Sequence, residues 1–400
     1  TWQPCLSAPG IVETAVAAAR SHFELKPDAL TFSLAINDGE DWCQCAACRK
    51  LLPASQHDLP ADRRWWSEPY WRFVDTVAKQ IKLEHPGKRI SALAYANVAL
   101  PPSFKLEDNI TVFVCEDAGA HFDDARRNFS RQQLEAWVNV CSDIGRYGYA
   151  GLVSWIFPRY CRDELANDIR TASDLGITQF YIENFWVEWI DGPLPWIVKM
   201  MLEDPRRNPK RLQAQFCQSV FGPAGPTMDA YYDYLQSVWQ SAPNGVFFDG
   251  LFNIEKQASR YTPDVRKTMQ GFITKANTET ANAPTVQAKL AAVTGPLQIA
   301  FAFAEEADII RELRDPFIVS STSFRRSEAI RDLRVARQHR EETLKGIAEQ
   351  PWGASLRRAL QASHREPTIE RWNRNQDELI ASVENQILVF QNVMRSLRKE

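Results

Sequence analysis

The sequence has no surplus of positive charge. Lys and Arg number 47 against 50 Asp and Glu, for a formal net charge of −3 and a pI near 6.1. Such a chain has no excess of cations to neutralise a phosphate backbone, so nucleic acid is not an expected partner. Long apolar runs are also lacking. The longest, such as Ile110 to Cys115, fall far short of the roughly 20 residues that a membrane-spanning helix needs, and no membrane partner is expected. His22, His57, His85, His121, His339 and His364 form no HExxH or other paired spacing, which argues against a catalytic metal. GxSxG, Walker and GxGxxG signatures are missing too, and the serine-elbow, nucleotide and dinucleotide classes go with them. No basic start with an apolar stretch precedes Thr1. The expectation is that any targeting signal has been removed or was not included.

What is present is a chain of 400 residues with 44% hydrophobic and 24% charged side chains, enough for two domains with cores of their own. Over residues 1–200 short β-rich runs alternate with amphipathic stretches, the pattern of parallel strands joined by crossover helices. Five strands are expected, at Leu30–Ile36, Arg89–Tyr95, Ile110–Cys115, Tyr149–Ile156 and Thr178–Ile182. Helices are expected at Pro9–Ser21, Glu68–Glu84, Arg131–Gly145 and Glu164–Leu175. An eight-stranded barrel takes about 250 residues, so the fold class is α/β, the C-terminal part of a (β/α)8 TIM-type barrel whose N-terminal strands are missing. From about Pro205 the β signal gives way to long helical runs, among them Met228–Ser241, Ala288–Arg314, Ser323–Ala348 and Ile369–Arg398. Residues 201–400 are therefore expected to form an all-α helical domain.

Barrel enzymes carry their chemistry where strands end and βα loops begin. Here those positions hold Asn37-Asp38-Gly39, Tyr95-Ala96-Asn97, Glu116-Asp117, Trp155 and Glu183-Asn184. Glycosidic cleavage uses two carboxyl groups, one protonated and one ionised. Glu183 lies within Tyr181-Ile182-Glu183-Asn184-Phe185-Trp186, and neighbouring rings that desolvate a carboxyl favour its protonated form, making it the candidate acid. The adjacent Glu116 and Asp117 are the other catalytic candidates, because substrate-assisted hexosaminidases use neighbouring carboxyls as acid and as orienter of the acetamido group. The plainer alternative is that one of this pair caps the next helix or binds a basic side chain. Asp38 and Asn37, with Tyr95, Asn97 and Asn184, are candidates for substrate hydroxyls, although Asn-Asp-Gly is also an ordinary turn.

Ten of the 13 tryptophans fall in the first 200 residues. Rings of this kind stack on sugar faces but more often fill cores. Trp155 and Trp186, at strand ends, are the candidate sugar platforms. Cys43, Cys45 and Cys48, with Cys5 as a fourth thiol, form the most specific local pattern. Four sulfurs suit a structural zinc, and the same residues could form two disulfides in a secreted protein. No cofactor for catalysis is expected. Cys115, Cys141, Cys161 and Cys217 read as core residues.

Trp2-Gln3-Pro4-Cys5-Leu6-Ser7, Phe32-Ser33-Leu34 leading into Asn37-Asp38-Gly39, the Cys43, Cys45 and Cys48 cluster, and Tyr181-Ile182-Glu183 followed by Asp191-Gly192 together resemble the bacterial domain of unknown function 4838. Some members of that family form glycoside hydrolase family 163. The resemblance covers much of the first half of the chain and implies a secreted or periplasmic barrel enzyme acting on glycans, endo-β-N-acetylglucosaminidase-like. The expected function is thus a glycoside hydrolase with carbohydrate as its substrate. The alternative is a noncatalytic carbohydrate-binding protein on a degenerate barrel.

Overall fold

The computed structural model describes residues 3–39, 41–58, 64–151, 155–184, 192–242, 245, 250, 253–315, 323–350 and 368–397. They divide into two compact units, one of residues 1–149 and 167–182, the other of 150–166 and 183–400.

The first unit is built on an open sheet, curled as a half-barrel, in the order β1 (Thr31–Ser33), β2 (Arg89–Ala94), β3 (Ile110–Glu116), β4 (Ile144–Gly151), β5 (Gln179–Asn184). The pairs from β1 to β4 are parallel, with Ala94 opposite Val114 and Glu116 opposite Gly148. Side chains alternate across a strand, and the two faces differ sharply. Ile90, Ala92, Ala94, Ile110, Val112, Val114 and Ile144 are buried in the core with Val16, Ala19 and Phe23 of helix α1 (Ile11–Leu25), Trp71, Val74 and Ile81 of α3 (Ser67–Glu84), and Leu134 and Trp137 of α4 (Asp124–Val140). A short helix, α2 (Ala46–Leu51), lies between α1 and α3 in the chain. On the opposite face Ser33, Ser91, Leu93, Phe113, Tyr147 and Tyr181 remain half-buried or exposed, while Thr111, Cys115 and Tyr149 are buried.

Two elements begin earlier than the sequence suggested. Helix α4 starts at Asp124 rather than near Arg131, because the Asp123 carboxylate accepts the backbone N–H groups of Ala125 and Arg126 at 2.9 and 3.1 Å. This side-chain cap satisfies donors that a new helix leaves open. Strand β4 runs from Ile144 to Gly151 rather than from Tyr149. Its Ile-Gly-Arg-Tyr-Gly-Tyr sequence disguised it, since glycine and a charged residue weaken a strand signal. Gly145 is required there by a close approach, because a Cβ would lie 2.3 Å from the Phe113 ring on β3.

Beyond Leu194 every described element is a helix. Helix Pro209–Phe221 packs on Gly225–Gln240, and the long helix Pro284–Arg314 packs on Ser323–Ala348, which in turn meets Thr368–Leu397. The last three are pinned by a fully buried Glu306. Its carboxylate accepts from Arg340 Nε and Trp372 Nε1, both at 2.6 Å, and from Gln376. No described helix is long and apolar enough to cross a membrane.

Candidate functional site

The strand ends of the first unit hold most of the expected residues, in very different environments. The loop after β1 is tied down by Gln3, whose side-chain amide donates to the carbonyls of Asn37 and Gly39 at 2.6 and 2.7 Å and accepts the Asn37 N–H at 3.1 Å. Asn37 and Asp38 keep exposed side chains. Tyr95, just past β2, brings its hydroxyl 3.4 Å from the Asp38 carboxylate. Asn97 faces another way. It is buried, its amide donates to the Arg64 carbonyl at 3.0 Å and its own carbonyl accepts from Trp66 N–H at 2.7 Å, so it braces the loop before α3.

Glu116 and Asp117 are almost fully buried. Glu116 continues the helix-facing row of Val112 and Val114, and its Oε1 takes the Arg126 fork, Nε at 3.1 Å and Nη2 at 2.6 Å. His121 Nε2 lies 3.5 Å from the same oxygen. Burial alone would favour the neutral acid, but His121, Arg146 and Arg126 together hold this carboxyl down at about 2. Glu116 is therefore an anion at every ordinary pH. Asp117 Oδ1 accepts the Gly119 N–H at 3.2 Å and caps the single turn that follows β3. Glu116 thus binds a basic side chain and Asp117 caps a turn, while the cap of the next helix, α4, is Asp123.

On β5 Glu183 is half-buried, and strand alternation puts it on the same face as Tyr181, two residues before it. Tyr181 is 53% exposed and its ring lies 4.6 Å from that of Tyr147, which lies 5.2 Å from Tyr149. Sequence reasoning passed over this aromatic row in favour of tryptophans, although the Tyr-Gly-Tyr alternation at 147–149 is its signature. Asn184 closes β5, and Trp186 lies outside the described residues. Trp155, in the second unit, is buried at 6% exposure, edge-on to Trp239 at 5.7 Å and beneath the Arg159 guanidinium at 5.6 Å. That surrounding is a core, and it leaves the ring no free face for a sugar.

The four expected thiols do come together. Cys5, Cys43, Cys45 and Cys48 hold their sulfurs within 4.8 Å of one another, Cys5 to Cys48 at 3.6 Å and Cys5 to Cys45 at 4.0 Å. All are free, and none forms a disulfide. Zinc–sulfur bonds of about 2.3 Å in a tetrahedron give sulfur–sulfur edges of about 3.8 Å, whereas a disulfide needs about 2.05 Å. The donor set fits a structural metal. Ser7, noted in the sequence only as the end of the first motif, sets its hydroxyl 3.1 Å from Cys48 Sγ and 3.4 Å from the sulfurs of Cys5 and Cys45. Its hydrogen bond, with a backbone N–H from Cys48, lowers the exposed Cys45 thiol to about 6. The backbone at Cys45 favours the Cys43 thiolate, but burial and the neighbouring sulfurs raise that thiol to about 12.

An α/β protein with an open parallel half-barrel and a four-cysteine cluster capable of holding a metal is the class that these features define. Residues 1–233 match the model of the domain of unknown function DUF4838, and the chain belongs to that family. No curated protein and no solved structure matches it.

Proposed function

We propose that the protein binds a glycan along the open face of the sheet and hydrolyses a glycosidic bond at the strand ends, as an endo-β-N-acetylglucosaminidase-like glycoside hydrolase related to family 163. The observation that carries this reading is the exposed Tyr181, its ring close to and tilted against that of Tyr147 and two residues before Glu183. Aromatic rings offer apolar faces on which the C–H side of a pyranose can rest, and glycosidic cleavage takes a carboxyl on the same face to protonate the departing oxygen. In this reading Glu183 is the acid, Asp117 orients the acetamido group, and Asp38 with Tyr95 contacts hydroxyls. Glu116, an anion fixed by Arg126, cannot donate a proton and serves instead to hold the end of β3. The five strands are then the C-terminal part of a (β/α)8 barrel, followed by an all-helical domain, in a secreted or periplasmic protein.

The caps and ion pairs on Asp117 and Glu116 favour a second reading, a noncatalytic carbohydrate-binding protein on the same face. Mass spectrometry of N-glycans and aryl glycosides incubated with the protein separates the two. Cleavage of one class, reduced about 10²- to 10⁴-fold in Glu183→Gln, supports the enzyme. Glycan retained without cleavage supports the binding protein, and neither binding nor cleavage removes both.

Zinc is the metal proposed for the four cysteines, since closed thiolate tetrahedra of this kind are characteristic of structural zinc sites. Elemental analysis should find one zinc per chain, lost in Cys48→Ser together with several degrees of thermal midpoint. Full stability and no metal in the purified protein would contradict the assignment.

A further inference from the structure

On the outer side of the sheet, between α4 and helix α5 (Arg162–Asp174), lies a cavity of about 240 Å³. Its walls carry four guanidinium groups, Arg127, Arg131, Arg146 and Arg170, against a single carboxylate, Asp168. Ser130, Asn128, Asn167 and Thr171 add neutral polar groups. Arg146 rises from β4 at 1% exposure, an unusual position for a guanidinium. Asp168 takes its Nε and Nη2 at 3.0 and 2.6 Å, and Nη2 also meets Ser130 Oγ at 3.0 Å. The remaining nitrogen, Nη1, is buried with no hydrogen-bond partner. A buried charged donor left unmade is costly, and here it belongs to a side chain that lines a cationic cavity.

We infer that this cavity binds a tetrahedral oxyanion, a phosphate or a sulfate. Arg146 is the buried anchor, its Nη1 donating to the anion. Arg131 and Arg170 close over the anion from the two helices. The ion pairs that Arg131 and Arg127 make now are weak competitors. Arg131 gives Nε to the exposed Glu135, and Arg127 gives Nη2 to the exposed Asp124, and exposed pairs of this kind contribute little. Guanidinium forks match the oxygen spacing of phosphate and sulfate, and charge-assisted bonds to them are strong. The volume corresponds to roughly eight waters at about 30 Å³ each, which exceeds a bare anion and leaves room for part of a sugar ester. The site is independent of the glycosidase reading, because it faces the helices and uses none of the residues assigned to cleavage.

Isothermal titration calorimetry at fixed ionic strength tests it, with inorganic phosphate, inorganic sulfate, glucose 6-phosphate and N-acetylglucosamine 6-sulfate as probes. Saturable one-to-one binding is expected in the wild type, weakened about tenfold for each guanidinium lost in Arg131→Ser and Arg170→Ser. Both lie toward the surface, so these variants keep the fold, which circular dichroism verifies. Arg146→Lys, which retains the charge beside Asp168 but not the fork, should weaken binding without abolishing folding. Tighter binding of the two esters than of the free anions assigns the site to a sugar ester, and the reverse assigns it to the inorganic ion. Absence of saturable heat with all four probes, or unchanged affinity in the Arg131→Ser, Arg170→Ser double variant, overturns the proposal.

Discussion

Gly145 shows how a single residue can be fixed by its neighbour on the next strand. With the Phe113 ring where a Cβ would stand, Gly145→Ala must push the ring aside, at a cost of about 1–3 kcal/mol typical of overpacking. Denaturant unfolding should show this loss, and Phe113→Leu in the same chain should recover part of it, as coupled neighbours do. Additive losses would mean that the ring is not the obstacle. Glu116 makes a prediction of opposite character. Its carboxyl is held at about 2 in the folded protein, against an ordinary value of 4.5. A depressed acid contributes stability that is fully present above about pH 4.5 and is lost as pH falls toward about 2, here of order 3 kcal/mol. The thermal midpoint of the wild type should therefore drop across that window. In Glu116→Gln the protein should be less stable at neutral pH and the acid drop shallower. An equally steep drop would place the acid sensitivity elsewhere.

At the scale of elements, the sequence was most legible where burial is one-sided and periodic. Strands β2 and β3 and helix α3 lie close to their expected bounds, because Ile90, Ala92 and Ala94 alternate and Tyr70, Trp71, Val74, Val77, Ala78 and Ile81 recur at helical spacing, all of them buried. Helix α4 and strand β4 were displaced because their positions depend on a cap at Asp123 and on the Phe113 contact, neither of which has a periodic signature. Among the helices, the Glu306 network is invisible in sequence for a similar reason, since Glu306, Arg340 and the Trp372, Gln376 pair lie on three helices far apart in the chain. Glu306→Gln removes the counter-charge of a fully buried Arg340. Breaking one member of a buried pair costs about 3–5 kcal/mol, so a large fall in the unfolding midpoint is expected. Replacing both with Glu306→Leu and Arg340→Met should cost less than Glu306→Gln alone. A double variant less stable than the single one would contradict this account of the network.

At the scale of the molecule, two domains were expected, divided near residue 200, and the chain clusters into compact units of residues 1–149 with 167–182 and of 150–166 with 183–400. The candidate site was legible in part. Four cysteines scattered over 44 positions meet in one cluster, as metal-ligand chemistry suggested. Asp38 and Tyr95 approach each other across β1 and β2. Hidden from the sequence was which way each side chain points. Glu116 and Asp117 are adjacent yet serve separate partners, Asn97 turns to a loop, and Trp155 enters a core, while Tyr147 and Tyr181 occupy the open face. Face assignment depends on strand register, and in β4 that register was obscured by its glycines.

Glu183 is proposed as the acid of a glycosidase working on that face. Its most direct test is the dependence of rate on the leaving group, comparing wild type and Glu183→Gln on an N-glycan and on the matching dinitrophenyl glycoside. A departing dinitrophenolate needs no proton, so the account predicts a loss of about 10²- to 10⁴-fold on the glycan and a nearly unchanged glycosylation step on the activated substrate. Equal losses on both, or no loss on either, would contradict the assignment of Glu183 as the acid.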